Sequence, residues 1–263
     1  MPLKCPCGNQ ECTCCIQVLD ACVEFENNLA LDDVSFAIPQ GVLTGVVGPN
    51  GGGKTTLFNA LVGLQPIVHG TILINGSPPG HSKGTVSYVP QKERVNWKFP
   101  LSVKDVVSLG TTRSGGLFQK LGARDSDLIE ESLRKVEMWE SKDELVAHLS
   151  GGQRQRTFIA RALAQQAGIL ILDEAFSGVD FSSQEGVINV LRTLRDEGKT
   201  ILMATHDLNT LAERFDAVLC INRHICAHGN PDSVFTKDVL TELYGAHDEM
   251  FAKHHIGNHP HDH

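Results

Sequence analysis

The stretch GPNGGGKT, residues 48–55, decides the fold because it fits the pattern G-x-x-x-x-G-K-[ST] in full. An apolar run, VLTGVV at 42–47, precedes it, and a helix is predicted at 53–62. Glycines let a backbone wrap phosphate groups with its N–H donors, Lys54 can reach the terminal phosphates, and Thr55 can bind Mg²⁺. A glycine-rich turn without a ligand is the alternative. The strand before the loop and the helix after it favour a nucleotide site.

Predicted strands and helices alternate on both sides of this loop, which is typical of a parallel α/β core. The segment from about 95 to 149 is helix-rich instead, with Leu128, Leu133 and Val136 at helical spacing, and indicates an inserted helical lobe within one domain. The other predicted strands are at 16–25, 34–38, 71–76, 85–89, 168–174 and 200–206. A helix is predicted at 182–198, opened by a capping box from Ser182 to Glu185 and closed by Gly198.

Polar side chains follow two of the apolar strands. Asp173 and Glu174 end the run ILILDE, where they can hold the water shell of Mg²⁺ and activate the attacking water, and His206 ends the run TILMATH. Each has a plainer explanation, because acidic residues at a strand end are often only solvated and a lone histidine is more often structural. Their order after the phosphate loop favours a role in the site.

The run LSGGQ, 149–153, opens a predicted helix that extends to about 164. Ser150 and Gly152 at a helix N-terminus would form a second anion site, although an ordinary serine N-cap explains the serine as well. Two phosphate sites in one chain are reconciled by a two-fold dimer, in which LSGGQ of each subunit completes the nucleotide site of the other.

Composition narrows the classes of partner. The net charge of −8 leaves no basic stripe to neutralise nucleic-acid phosphates, so no nucleic-acid partner is expected. No apolar run approaches the roughly 20 residues needed to span a bilayer, and the N-terminus lacks an apolar signal segment. We therefore expect the chain to stay in the cytosol.

The two ends of the chain are biased towards metal-binding residues. A Cys-rich arm at 1–15 holds Cys5, Cys7, Cys12, Cys14 and Cys15, and a His-rich tail at 246–263 ends in HHIGNHPHDH. The arm predicts either a soft-metal site or reactive thiols, and the tail either a metal-binding segment or a solvated terminus. We hypothesise that one of them reports cytosolic metal. Cys22, Cys220 and Cys226 are predicted as buried strand residues.

The ordered set GPNGGGKT, Gln91, LSGGQ, ILILDE, SGVD and THD resembles the nucleotide-binding subunit of ABC transporters over residues 16–245. The resemblance implies a P-loop NTPase core with a parallel sheet, a small antiparallel β subdomain and an inserted helical lobe at about 95–152. It also implies ATP and Mg²⁺ as ligands.

Residue roles follow from this resemblance by position. The nucleotide would be held by Phe25, which takes the place of the aromatic that stacks on adenine, and by Gly48, Asn50, Gly51, Gly53, Lys54, Thr55 and Thr56. Ser150, Gly152 and Asp180 would act across the dimer interface. Thr55, Gln91 and Asp173 would hold Mg²⁺, while Glu174 would be the general base, His206 would contact the γ-phosphate and Gln91 would also touch the lytic water.

The segment VNWKFPLSVKDVVSLG, 95–110, is similar to that of the manganese, zinc and iron import subfamily. This resemblance implies an ATPase subunit of a metal importer on the cytoplasmic face of the inner membrane. Its partners would be two membrane permease subunits, an extracytoplasmic solute-binding protein and a second ATPase copy. Trp97 and Phe99 would anchor the permease, unless they pack inside the helical lobe. Transport of heme, a siderophore or an amino acid, and a soluble ABC ATPase of nucleic-acid metabolism, are the alternatives.

Overall fold

The computed structural model describes residues 14–25, 28–81, 84–90, 100–111, 122–173, 181–206 and 211–244. Its strands are β1 (Cys14–Phe25), β2 (Asn28–Pro39), β3 (Leu43–Val47), β4 (His69–Ile74), β5 (Val86–Val89), β6 (Ile169–Leu172), β7 (Thr200–Thr205), β8 (Ala217–Asn222) and β9 (His224–Gly229). Its helices are α1 (Lys54–Leu61), α2 (Val103–Ser108), α3 (Ala123–Lys135), α4 (Gly151–Ala164), α5 (Phe181–Asp196), α6 (Leu211–Arg214), α7 (Pro231–Val234) and α8 (Lys237–Tyr244), with a 3-10 turn at Val146–His148.

A mostly parallel sheet with the order β5-β6-β7-β3-β8-β9 forms the centre of the described chain. Every residue of β3, β6 and β7 is buried, as expected for strands that are covered on both faces. The pairs from β5 to β8 are parallel, and β9 adds an antiparallel edge. The predicted parallel core is therefore confirmed.

A second, antiparallel sheet with the order β2-β1-β4 covers one face of the central sheet. Ile16, Val18 and Phe36 from this sheet share a buried cluster with Leu57 and Phe58 of α1. The strand predicted at 34–38 is longer than expected, since β2 begins at Asn28 and pairs with β1 along its whole length.

Helices cover the other face. α2, α3, α4 and α5 contribute to one apolar cluster with residues of β3, β6 and β7, including Ile129, Leu133, Ile159 and Leu191. The apolar face of α4 packs on α2 and α3 of the region that was predicted as a helical lobe, and α4 also contacts α5 and β5. Within the described ranges, no helix is long and apolar enough to cross a bilayer.

Several local predictions were wrong. Helix α5 already begins at Phe181, so Ser182 lies within the helix rather than at its N-cap position, and Glu185 pairs with Arg214. Gly198 does end this segment, with a φ of 89°.

Cys14 and Cys15 belong to β1 rather than to an irregular arm, and Cys14 is disulfide-bonded. Cys220 is buried as predicted, whereas Cys22 and Cys226 are only half-buried.

Candidate nucleotide-binding site

The loop GPNGGGKT joins the buried end of β3 to the N-terminus of α1, as its pattern predicts. Gly53 caps α1 with a φ of 96°, a left-handed backbone that favours glycine. A Cβ on Gly48 would lie 1.9 Å from the carbonyl oxygen of Ile221, and one on Gly53 would lie 2.7 Å from Leu31 Cδ2. The loop is therefore held so closely that these two positions have no room for a side chain.

Lys54 is the first residue of α1 and is only 6% exposed. Its ammonium group donates hydrogen bonds to the carbonyl oxygens of Gly48, at 2.8 Å, and Pro49, at 2.9 Å. These contacts hold a positive charge against the loop at the amino end of a helix, where backbone N–H groups also point outwards. The arrangement suits a polyphosphate.

The other loop residues differ in their exposure. Asn50 and Gly51 are exposed at the tip of the loop, whereas Thr55 and Thr56 are half-buried in the first turn of α1. The tip of the loop and the first turn of α1 are therefore both at least partly accessible to a ligand.

The turn between β8 and β9 supports the loop from behind. The amide of Arg223 donates a hydrogen bond to the carbonyl oxygen of Gly52 at 2.9 Å, and the amide of Asp32 donates to the carbonyl oxygen of Arg223 at 2.8 Å. Sequence reasoning missed both residues and Ile221, because backbone groups can make these contacts whatever the side chain is.

Asp173 follows directly on β6 and is 1% exposed. The hydroxyl of Tyr88 on β5 donates a hydrogen bond to Asp173 Oδ2 at 3.2 Å. Tyr88 was not predicted as a site residue, although its place next to the end of a parallel strand was a signal that could have found it.

Three polar positions lie at the carboxyl ends of adjacent strands. The phosphate loop follows β3, His206 follows β7 and Asp173 follows β6, and these strands are neighbours in the order β6-β7-β3. The His206 side chain is exposed at this edge. A crevice beyond the carboxyl ends of parallel strands is where α/β proteins bind their ligands.

Ser150 forms a complete capping box at the start of α4. Its hydroxyl accepts from the Gln153 amide at 3.2 Å, and the Gln153 side chain accepts from the Ser150 amide at 2.9 Å. Gly152 is packed against α5, because a Cβ there would lie 2.7 Å from that of Ser183. The plainer prediction of an N-cap is therefore confirmed, and it leaves the exposed Ser150 position accessible to a second molecule.

Phe25 ends β1 and is 46% exposed. It pairs with Asn28, on the same hairpin whose Leu31 packs beside Gly53. An exposed aromatic ring on this hairpin is thus carried by strands that contact the phosphate loop. The predicted site residues Gln91, Glu174 and Asp180, and the predicted anchors Trp97 and Phe99, lie outside the described residues.

Comparison with known proteins decides the family. A protein-family model described as ABC transporter matches residues 31–177. The chain belongs to the ABC transporter family. Its resemblance to ABC nucleotide-binding subunits and the predicted fold class are thereby confirmed, and the chain is an ABC ATPase.

Other members of the ABC transporter family are similar over most of their length. The zinc transport system ATP-binding protein TroB of Treponema pallidum is 40% identical over 230 residues, which are 88% of this chain and 86% of TroB. The manganese transport system ATP-binding protein MntB of Listeria innocua is also 40% identical over 230 residues, which are 88% of this chain and 96% of MntB.

Solved structures agree on the fold. The chain of a metal-chelate type ABC transporter in an inward-facing conformation superposes with a TM-score of 0.78 at 26% identity, over 88% of this chain and 89% of that one. The ATP-binding cassette MJ1267 in its ADP conformation superposes with a TM-score of 0.77 at 22% identity, over 87% of this chain and 97% of that one.

Proposed function

We propose that this chain is the ATP-hydrolysing subunit of an ABC importer that takes up a divalent metal ion: manganese, zinc or iron. The observation that best supports ATPase activity is the position of the phosphate loop, His206 and Asp173 at the carboxyl ends of three neighbouring strands, β3, β7 and β6. The metal part is supported by the relatives named as zinc and manganese transport proteins.

The residues present fit ATP with Mg²⁺. The glycines that leave no room for a Cβ bring backbone close to the phosphates, and Lys54 supplies a buried positive charge beside them. Thr55, Gln91 and the buried Asp173 would hold Mg²⁺ directly or through water. The ion, when bound, neutralises charge on the phosphates.

The chain's own residues then have distinct tasks in hydrolysis. Glu174, one residue beyond Asp173, takes a proton from the attacking water, and His206 from the neighbouring strand contacts the γ-phosphate. Phe25 stacks on the adenine from the hairpin that touches the loop. Glu174→Gln should keep ATP binding, lose nearly all turnover and accumulate closed dimers.

Two copies of the chain hydrolyse ATP together across a two-fold axis. Ser150 and Gly152 at the start of α4 approach the γ-phosphate of the opposite copy, and Asp180 crosses the interface. The N-terminal N–H groups of α4 and the exposed Ser150 position support this part of the proposal.

The permease subunits dock on the helical lobe at the cytoplasmic face of the membrane, and an extracytoplasmic protein delivers the metal. Leu109 and Leu145 are exposed on the lobe, 43% and 37% respectively. Leu109 directly follows α2, and Leu145 pairs with Ser102, the N-cap residue of α2. The segment with Trp97 and Phe99 precedes α2 in the sequence. Exposed apolar side chains there suit a protein interface.

The test is radiometal uptake of Mn²⁺, Zn²⁺ and Fe²⁺ into metal-starved cells that lack the subunit and are complemented with variants. Wild type should restore uptake of one ion, Glu174→Gln should not, and Glu130→Gln, an exposed matched change on α3, should behave as wild type. Unchanged uptake of all three ions, with ATPase activity still lost in Glu174→Gln, would instead indicate heme, siderophore or amino-acid cargo. ATPase activity stimulated by RNA or DNA would indicate the nucleic-acid alternative.

A further inference from the structure

His224, Cys226 and Glu242 bring three metal-binding groups together on β9 and α8, and none of the three is a predicted nucleotide contact. The imidazole nitrogen, the thiol sulfur and a carboxylate oxygen all lie within 4.8 Å of one another. His224 Nε2 is 2.6 Å from Glu242 Oε1 and 3.8 Å from Cys226 Sγ. The cluster joins residues 18 positions apart in sequence, so the fold and not a local motif creates it.

A β-bulge places the cysteine. Cys220 pairs with Ala227 and Ile221 pairs with Ile225, which leaves Cys226 as the extra residue on β9. A bulge bends its strand and redirects the side chain of the extra residue. Here the half-buried Cys226 has its sulfur beside the His224 ring.

Helix α8 is fixed opposite this bulge. The side-chain amide of Asn222 donates to the carbonyl oxygens of Glu242, at 3.3 Å, and Leu243, at 3.4 Å, and Leu243 itself is buried. The backbone beside Glu242 is therefore held in place. The side chains of His224 and Glu242 are each about half exposed, so a hydrated ion can reach them from solvent.

We propose that His224, Cys226 and Glu242 bind one divalent cation of the Zn²⁺ class. Zn²⁺ takes sulfur, nitrogen and oxygen ligands at about 2.0–2.3 Å, which in a tetrahedron puts the ligand atoms about 3.3–3.6 Å apart. The sulfur–nitrogen separation of 3.8 Å lies about 0.2 Å above this range, and the nitrogen–oxygen pair has to open from 2.6 Å by less than about 1 Å. The sulfur and the carboxylate oxygen, which lie within 4.8 Å of each other, have to reach the same spacing. Binding releases the thiol proton of Cys226 to solvent, and the resulting thiolate and the Glu242 carboxylate neutralise the ion, with water in the fourth position.

The location connects this site to the nucleotide loop. His224 follows Arg223, whose amide is bonded to Gly52 of the loop. An ion shared by β9 and α8 would therefore tighten a turn that supports the loop. The inference itself does not depend on the proposed transport function, since it concerns only the chain and the ion.

The experiment measures Zn²⁺ binding to the full chain by competition with a chromophoric chelator. We expect each of three single variants to bind one equivalent of Zn²⁺ less than wild type, or to bind that equivalent more than roughly 100-fold more weakly. The variants are His224→Gln, Cys226→Ser and Glu242→Gln. His228→Gln, on the same strand, and Cys22→Ser, on β1, are the matched controls and should keep that equivalent. Metal bound by the cysteines and histidines near the two ends of the chain is common to all variants and cancels in the comparison.

Thermal unfolding with and without Zn²⁺ distinguishes a variant that has lost the bound ion from one that is only less stable. A ligand of the folded state raises the unfolding temperature, so the Zn²⁺-dependent rise should be smaller in each cluster variant than in the controls. Full retention of Zn²⁺ affinity and of this rise by any one of the three variants would overturn the ligand set. Retention by all three would leave His224 and Glu242 as a hydrogen-bonded pair only.

Discussion

The amide of Arg223 donates a hydrogen bond to the carbonyl oxygen of Gly52, so the β8–β9 turn and the phosphate loop form one unit although they are 171 positions apart. The carbonyl oxygen of Ile221, two residues earlier, lies so close to Gly48 that a Cβ there would be 1.9 Å away from it. The conformation of the loop thus depends on the far end of the domain as well as on its own glycines.

This contact predicts that Gly48→Ala damages nucleotide binding. The new Cβ would lie 1.9 Å from a backbone oxygen that cannot rotate away, so either the loop or β8 must shift. We expect the affinity for a fluorescent ATP analogue to fall at least about 10-fold, which corresponds to about 1.4 kcal/mol. Gly168→Ala is the control, because a Cβ there has no atom within 4 Å. Equal affinities in the two variants would contradict the argument.

Short patterns in the sequence were enough to predict the parallel core and the positions of the polar residues that follow its strands. The loop pattern, the apolar runs of β3, β6 and β7, and the polar residues at their ends are local features, and parallel strands necessarily bring such ends to one edge. The fold class, and the positions of Lys54 and Asp173 in particular, could therefore be predicted.

Contacts that depend on distant segments could not be predicted. The carbonyl of Ile221 and the amide of Arg223 carry no residue signature, so no sequence pattern marks them. The capping box predicted from Ser182 to Glu185 was wrong because α5 begins one residue earlier, and Glu185 pairs with Arg214 of α6, which only the folded chain brings close. Cys226 was predicted as a buried strand residue because free cysteines are mostly buried, and the bulge that leaves it half-buried has no signal in the sequence.

The hydrogen bond from Tyr88 to Asp173 predicts an effect on Mg²⁺ dependence. Asp173→Asn removes the negative charge from the proposed Mg²⁺ site, and Tyr88→Phe removes only the hydroxyl that orients it. We expect Tyr88→Phe to raise the Mg²⁺ concentration for half-maximal ATPase activity about 10-fold, and Asp173→Asn to raise it further. The other tyrosine of the chain provides the control, Tyr244→Phe, which should leave the Mg²⁺ curve unchanged. Coincident curves for Tyr88→Phe and wild type would rule out an orienting role.

The ion pair between Arg214 and Glu185 predicts a large loss of stability on Glu185→Ala. Arg214 is 3% exposed and makes hydrogen bonds of 2.6 Å and 2.9 Å to Glu185 Oε1. Removing the carboxylate takes the Glu185 ion pair away from the buried guanidinium, and breaking a buried ion pair costs about 3–5 kcal/mol. We expect about 3 kcal/mol, the low end of this range, because Glu185 itself is partly exposed. Denaturant unfolding measures this difference.

The matched control for this ion pair is Glu130→Ala, which breaks an exposed pair with Arg134 on α3. Exposed pairs of this spacing contribute about 0.5 kcal/mol or less. Similar losses in the two variants would mean that the burial of Arg214 has no energetic consequence. A double variant, Arg214→Met with Glu185→Leu, should recover most of the loss because no charge then remains buried.

Cys15 predicts a specific alkaline loss of stability. Burial raises the pKa of this thiol above its ordinary value of 9.0, although its hydrogen bond to Thr200 partly opposes the shift. Above pH 9 the unfolded chain therefore loses a proton that the folded chain keeps, so this contribution to stability is full below pH 9 and declines as the pH rises through the folded-state pKa. Unfolding free energies from pH 8 to pH 10.5 should fall less steeply for Cys15→Ala than for wild type, by at most about 1.4 kcal/mol per pH unit. Parallel curves for Cys15→Ala and wild type would exclude Cys15 as the titrating group.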